Sequence, residues 1–155
     1  GTPLLMQLFL TYFGMAMMGI DTSPLLAASV CLTLYSAAYL SDIWRGCVDA
    51  VPKGQWEASA CLAMSFPEQL RHVILPQALR VGIAPTAGFM VQIIKGTALT
   101  SVIGFIEITK AGQLIANATF EPFLVYGLVA VLYFALCFPI SIWSQRLEKR
   151  MRPKH

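Results

Sequence analysis

Charge is scarce in this sequence. Only 12% of its 155 residues are Asp, Glu, Lys or Arg, against 57% apolar, and the mean hydropathy is +0.66. A soluble domain of this size carries roughly twice that charge. The composition therefore excludes an ordinary water-soluble domain and supplies apolar material for several membrane crossings of roughly 20 residues each. One membrane domain is the expected organisation.

Patterns that carry chemistry are missing as well. No G-x-x-x-x-G-K-[ST] run occurs, and Lys53-Gly54 stands in the wrong order, so the chain does not cradle a nucleotide phosphate in that way. There is no H-E-x-x-H, and His72 and His155 form no pair. Cys31, Cys47, Cys61 and Cys137 match neither a zinc site nor a redox pair. Cys31 and Cys137 fall in apolar spans, where a thiol behaves as a small hydrophobe. Thr97, Thr100 and Ser101 lack a nearby His or carboxylate to activate them as nucleophiles. No catalytic residue, metal ligand or cofactor is assigned. A net charge of +3 without a basic stripe gives no nucleic-acid signal. No basic n-region with a cleavage site precedes the first apolar run. The chain opens Gly1-Thr2-Pro3, without Met, and is expected to lack its N-terminal part.

The apolar sequence divides into four expected spans, about 3–20, 25–44, 77–95 and 120–143. Asp21-Thr22-Ser23-Pro24 reads as a turn leading into a new helix. The second span carries Ala27, Ala28, Ser29, Thr33, Ser36, Ala37 and Ala38, small residues that let membrane helices approach closely. In the third, Ala84 and Gly88 make a small-xxx-small pair and Pro85 is a candidate kink. After Lys95 comes Gly96-Thr97-Ala98-Leu99-Thr100-Ser101-Val102-Ile103-Gly104, read as irregular backbone that protein must bury or water must reach. Residues 105–118 are expected to form a short amphipathic helix beyond it.

Between the second and third spans, residues 46–75 are polar. One short helix is expected over 54–63. Ser65-Phe66-Pro67-Glu68 then has capping-box spacing, so a second helix should run to about Leu75, and Pro76 should open the next. This excursion and the tail 146–155 share one side of the membrane, because the chain between them crosses twice. Arg45, Lys53, Arg71, Arg80 and the five basic residues of the tail all fall there, nine of the eleven Lys and Arg. The positive-inside rule makes that side cytoplasmic. Lys95 and Lys110 are the exceptions, and Asp21 and Glu121 fall opposite.

Glu57-Ala58-Ser59, then Ala63, then Val73-Ile74-Leu75-Pro76 resembles the cytoplasmic "EAA" loop of type I ABC importer permeases, in the polar amino-acid uptake branch. Pro52-Lys53-Gly54-Gln55-Trp56-Glu57-Ala58, Leu75-Pro76-Gln77-Ala78 and Ser101-Val102-Ile103-Gly104 extend the resemblance over essentially the whole chain. It implies an all-α polytopic bundle in the bacterial inner membrane, with about four of an expected five spans present. It further implies that the chain is a transport subunit and no enzyme, paired with a second permease subunit, same or homologous. Two copies of an ABC ATPase subunit would dock on the loop, and an extracytoplasmic amino-acid-binding protein would deliver the substrate. The implied coupling residues are Gly54, Trp56, Glu57, Ala58, Ser59, Leu62, Ala63, Leu75 and Pro76. Glu57 would make a charge contact, with Trp56 and Leu62 as apolar anchors. The family's third Ala is Ser59 here, its Gly is Ala63, and the Asp it often has after Lys95 is Gly96. If the turn at residue 63 needs φ > 0, Ala63 costs on the order of 1 kcal/mol.

The residues themselves nominate Lys95, Thr97, Thr100 and Ser101 as the lining of a translocation path. The alternatives are that the hydroxyls satisfy neighbours at a helix break, and that Lys95 snorkels to the surface. Two other functions fit the sequence less well. An ATPase-independent channel or secondary transporter would place paired ionisable residues inside its spans, and almost none are present. A DNA-binding helix-turn-helix over 54–75 is at odds with flanking membrane spans.

Overall fold

Pro24 is the first residue whose consequence for the backbone is plain. The Ser23 hydroxyl accepts the Leu26 N–H at 3.2 Å, and a helix opens at Pro24, where a missing N–H is harmless. In the computed structural model, which describes residues 2–151, helices follow one another along the chain. They are α1 (Leu4–Met17), α2 (Pro24–Asp49), α3 (Lys53–Cys61), α4 (Phe66–Gln69), α5 (Leu75–Gly96), α6 (Ile108–Thr119) and α7 (Pro122–Met151). A π-turn, Leu70–Ile74, joins α4 to α5, and a 3-10 segment, Thr97–Ile103, follows α5. No strand occurs among the described residues. Gly1 and the last four residues of the basic tail lie outside them.

Among the described residues, three helical stretches are long and apolar enough to cross a membrane: Pro24–Asp49, Phe66–Ile103 and Pro122–Lys149. The helix in the first expected span, α1, has 14 residues and ends where Gly19 turns left-handed at φ 77. It is about 21 Å long at 1.5 Å per residue, short of a core of roughly 30 Å. Helix α2 outruns its expected end at Trp44, because nothing breaks it before Pro52, whose predecessor is biased away from helix.

The chain folds as two compact units, one of Gly1–Ala37 and Met90–Pro139, the other of Ala38–Phe89 and Ile140–His155. The first is centred on buried Leu8, Ala27, Ala28, Cys31 and Ile103. Within it Gly112 of α6 meets α7 so closely that a Cβ there would lie 2.6 Å from Val129 Cγ2. The second is centred on Cys47, Val51, Ile74 and Ala78, with Trp56, Leu70 and Val73 packed against them.

Two sequence expectations are corrected. Pro76 does not open a new helix, because the chain is continuously helical from Phe66 to Ile103. In an α-helix Pro76 would lack its N–H and press its ring on the carbonyl four residues back. The wider π-turn directly before it relieves that conflict. The Gln77 side chain donates to the Val73 carbonyl at 2.8 Å, supplying a donor beside the gap. The stretch 97–103, expected to be irregular, is instead a regular 3-10 segment. Pro85 and Pro139 lie inside continuous helices.

Candidate functional site

The polar excursion is a hairpin of α3 and α4. Pro52 precedes α3, and the helix closes with two reverse bonds, Ala63 N–H to the Ala60 carbonyl at 2.9 Å and Met64 N–H to the Ser59 carbonyl at 3.3 Å. That pattern needs a left-handed residue at its second-last position, and Ala63 takes it with φ 57. The next helix is capped at once. The Glu68 carboxylate accepts the Ser65 N–H at 2.8 Å and the Ser65 hydroxyl at 2.7 Å. These two bonds, the hydroxyl's first, hold the Glu68 carboxyl below its ordinary range. Trp56 stacks on Phe66 across the hairpin, with ring centroids 6.1 Å apart. Gln77 Nε2 also reaches Gln55 Oε1 at 3.3 Å, tying α3 to the start of α5.

The expected coupling residues divide by exposure. Glu57, Ala58, Gly54 and Pro76 face outward. Leu62 is 76% exposed, and Leu75 is at 37%. Trp56 is partly buried against the hairpin's own core, and Ser59 is buried at 2% with its hydroxyl donating to the Trp56 carbonyl at 2.9 Å. The buried Ser59 hydroxyl is thus satisfied within its own helix. Phe66, 65% exposed, adds an apolar side chain to the outer surface that the spacing argument passed over. Its signal was present in the sequence, as an aromatic at the first position of a capped polar helix.

In the other unit, the hydroxyls expected along a path are turned onto backbone. Thr97 Oγ1 donates to the Ile94 carbonyl at 2.7 Å, Thr100 Oγ1 to Thr97 at 2.6 Å, and Ser101 Oγ to Ala98 at 2.6 Å. Thr97 and Ser101 remain partly accessible, while Thr100 is 1% exposed. Lys95 is exposed in the last turn of α5, where a cation suits the negative end of the helix.

Just beyond lies a group that sequence reasoning missed. Glu107 caps α6, accepting the Thr109 N–H at 2.7 Å and the Lys110 N–H at 2.8 Å. Its carboxylate also accepts the Tyr133 hydroxyl of α7 at 2.8 Å, and that hydroxyl lies 3.3 Å from Thr109 Oγ1. The sequence signal was a lone carboxylate among Phe105, Ile106 and Ile108.

Comparison with known proteins agrees with this architecture. A sequence model of the family described as "Binding-protein-dependent transport system inner membrane component" matches residues 1–153. The chain is 35% identical over 150 residues to the probable amino-acid ABC transporter permease protein YckA of Bacillus subtilis (strain 168), covering 97% of this chain and 66% of that protein. It is 36% identical over 152 residues to the L-cystine transport system permease protein TcyB of the same strain, covering 97% and 65%. It is 38% identical over 154 residues to the glutamine transport system permease protein GlnP of Escherichia coli (strain K12), covering 98% and 70%. Against the crystal structure of an amino acid ABC transporter with histidines, the TM-score is 0.91 at 33% identity, covering 97% of this chain and 70% of that one. The chain spans about two thirds of the length of the curated relatives it matches.

Proposed function

The chain belongs to the family of binding-protein-dependent transport system inner membrane components, and from that premise we propose that it forms the translocation pathway of an ATP-driven amino-acid importer. It acts with a second permease subunit, the same or homologous, two ABC ATPase subunits and an extracytoplasmic amino-acid-binding protein. It sits in the bacterial inner membrane, among lipid, with the hairpin and the C-terminus on the cytoplasmic side. The chain itself carries no chemistry, and ATP is hydrolysed by the ATPase subunits.

One observation carries this reading. The hairpin is a polar, exposed element that runs directly into a membrane-length helix. The turn between its arms is closed by backbone and carboxylate bonds around Ala63 and Ser65, and its second arm continues into α5 without a break in helix. Such an element moves as a rigid body when a partner groove grips it. Glu57, Leu62, Ala58 and Gly54 offer the gripped surface, while Trp56, Ser59, Ala63, Leu75 and Pro76 shape the lever behind it. Lys95, Thr97 and Ser101 contribute to the wall of the path, and Thr100 holds the 3-10 segment that presents them. An ATPase-independent channel is not favoured, since the relatives bear the names of ABC permeases.

Uptake of labelled amino acids by the full-length chain, assembled with its ATPase and binding protein, tests the proposal. Glu57→Lys should abolish uptake and leave membrane insertion intact. Normal uptake in that variant, or uptake that persists without any ATPase, would refute it.

A further inference from the structure

Glu107 accepts from three hydrogen-bond donors, and among the described residues no cation pairs with it. Oε2 accepts the Thr109 N–H and the Tyr133 hydroxyl, and Oε1 accepts the Lys110 N–H. An ionised carboxylate has about four acceptor positions, so one on Oε1 stays open. The Lys110 ammonium does not fill it, donating to Gln113 Oε1 at 3.0 Å instead.

The depth of the group matters. Tyr133 stands eleven residues after Pro122, the first residue of α7. At 1.5 Å per residue that is roughly 17 Å along the helix, about half of a hydrocarbon core roughly 30 Å thick. Glu107, bonded to Tyr133, is therefore level with the middle of the span expected over residues 120–143. Carboxylates at that depth are costly, and they face the protein interior or a water-filled cavity and mark solute paths. Glu107 is partly accessible rather than sealed. Hydroxyls flank it, those of Thr109 and Tyr133. The group is thus held by three bonds, without a counter-charge among the described residues, at the start of a helix that packs on the segment proposed as pathway wall.

We infer that Glu107 is the counter-ion for the ammonium group of the amino acid as it passes the middle of the membrane, an inference that rests on the transport reading above. The chemistry suits passage rather than storage. A single open acceptor position gives the ammonium one charge-assisted bond, while the other positions stay with Thr109, Lys110 and Tyr133. Conduction needs a site that attracts a solute and then lets it go.

The test uses the full-length permease with its ATPase and binding protein. Uptake of the twenty standard L-amino acids identifies the best-imported one. Binding of that amino acid, and of its α-hydroxy counterpart without the ammonium group, is then measured on the permease–ATPase complex alone. The wild-type complex should prefer the amino acid by roughly tenfold or more, and Glu107→Gln should erase the preference. Equal affinity of the wild-type complex for the two compounds overturns the inference, as does a folded Glu107→Gln complex that keeps the preference. The wild-type comparison stands even if the variant fails to assemble. A wild-type assembly that imports no amino acid refutes the transport reading itself, a result distinct from an active importer blind to the ammonium group.

Discussion

Ala63 and Gly104 occupy the same left-handed position in two copies of one helix-ending turn. At Ala63, φ is 57, its N–H bonds the Ala60 carbonyl, and Met64 N–H bonds Ser59. At Gly104, φ is 89, its N–H bonds the Ser101 carbonyl, and Phe105 N–H bonds Thr100. Glycine takes this conformation freely, whereas a Cβ there costs about 1–2 kcal/mol. Ala63→Gly should therefore stabilise the hairpin by about 1 kcal/mol, and Gly104→Ala should destabilise its turn by a similar amount. Thermal unfolding of the detergent-purified chain measures both. Shifts of the same sign for the two variants would contradict the argument.

Gly112 is a matter of space rather than of backbone freedom. A Cβ at that position would sit 2.6 Å from Val129 Cγ2 and 3.7 Å from Val125 Cγ1. Helices α6 and α7 would have to separate, at a cost of about 1–3 kcal/mol for overpacking. Gly112→Ala should lower the unfolding temperature, and Val129→Ala in the same chain should restore much of the loss. A double variant no better than the sum of the singles would show that the contact is not the cause.

The parts of this fold that were legible from sequence are those set by local spacing. Ser65 and Glu68 are three residues apart, and their capping interaction follows from that distance alone. Ser23-Pro24 likewise announces α2. The run from Pro52 to Pro76 was specific enough to point to the family before any coordinates. The π-turn was not legible, because it arises from the Pro76 ring meeting a helix that packing of Ile74 and Ala78 keeps continuous. Nor was the Glu107–Tyr133 bond, which joins residues 26 apart and exists only once α6 lies on α7. Burial of Trp56 and Thr100, both nominated for their chemistry, was also a tertiary outcome.

The capping carboxylate makes the hairpin sensitive to acid. Glu68 is held below its ordinary carboxyl range, chiefly by the Ser65 hydroxyl and then by the Ser65 N–H. A depressed value in the folded state means stabilisation that is complete above the unfolded carboxyl range and fades as pH falls through the folded value. Ser65→Ala should thus lower the unfolding temperature at neutral pH, and the gap to wild type should narrow in acid. A gap that widened as pH fell would reverse the assigned sign.

Leu62 offers the cleanest probe of docking. It is 76% exposed on a polar hairpin and lies one residue before the left-handed turn, so its side chain stabilises little within the chain. Phe66 is nearly as exposed but stacks on Trp56, so its removal would disturb the hairpin as well. Leu62→Asp should leave helicity unchanged and stability within about 0.5 kcal/mol of wild type, the usual range for surface changes. If Leu62 sits in the ATPase groove, the same change buries a carboxylate against apolar partner surface, and anchors of that kind are worth about 2 kcal/mol or more. Co-purification of the ATPase subunit should fall by well over tenfold. Undiminished capture would remove Leu62 from the interface, and a large loss of stability would show that it supports the hairpin instead.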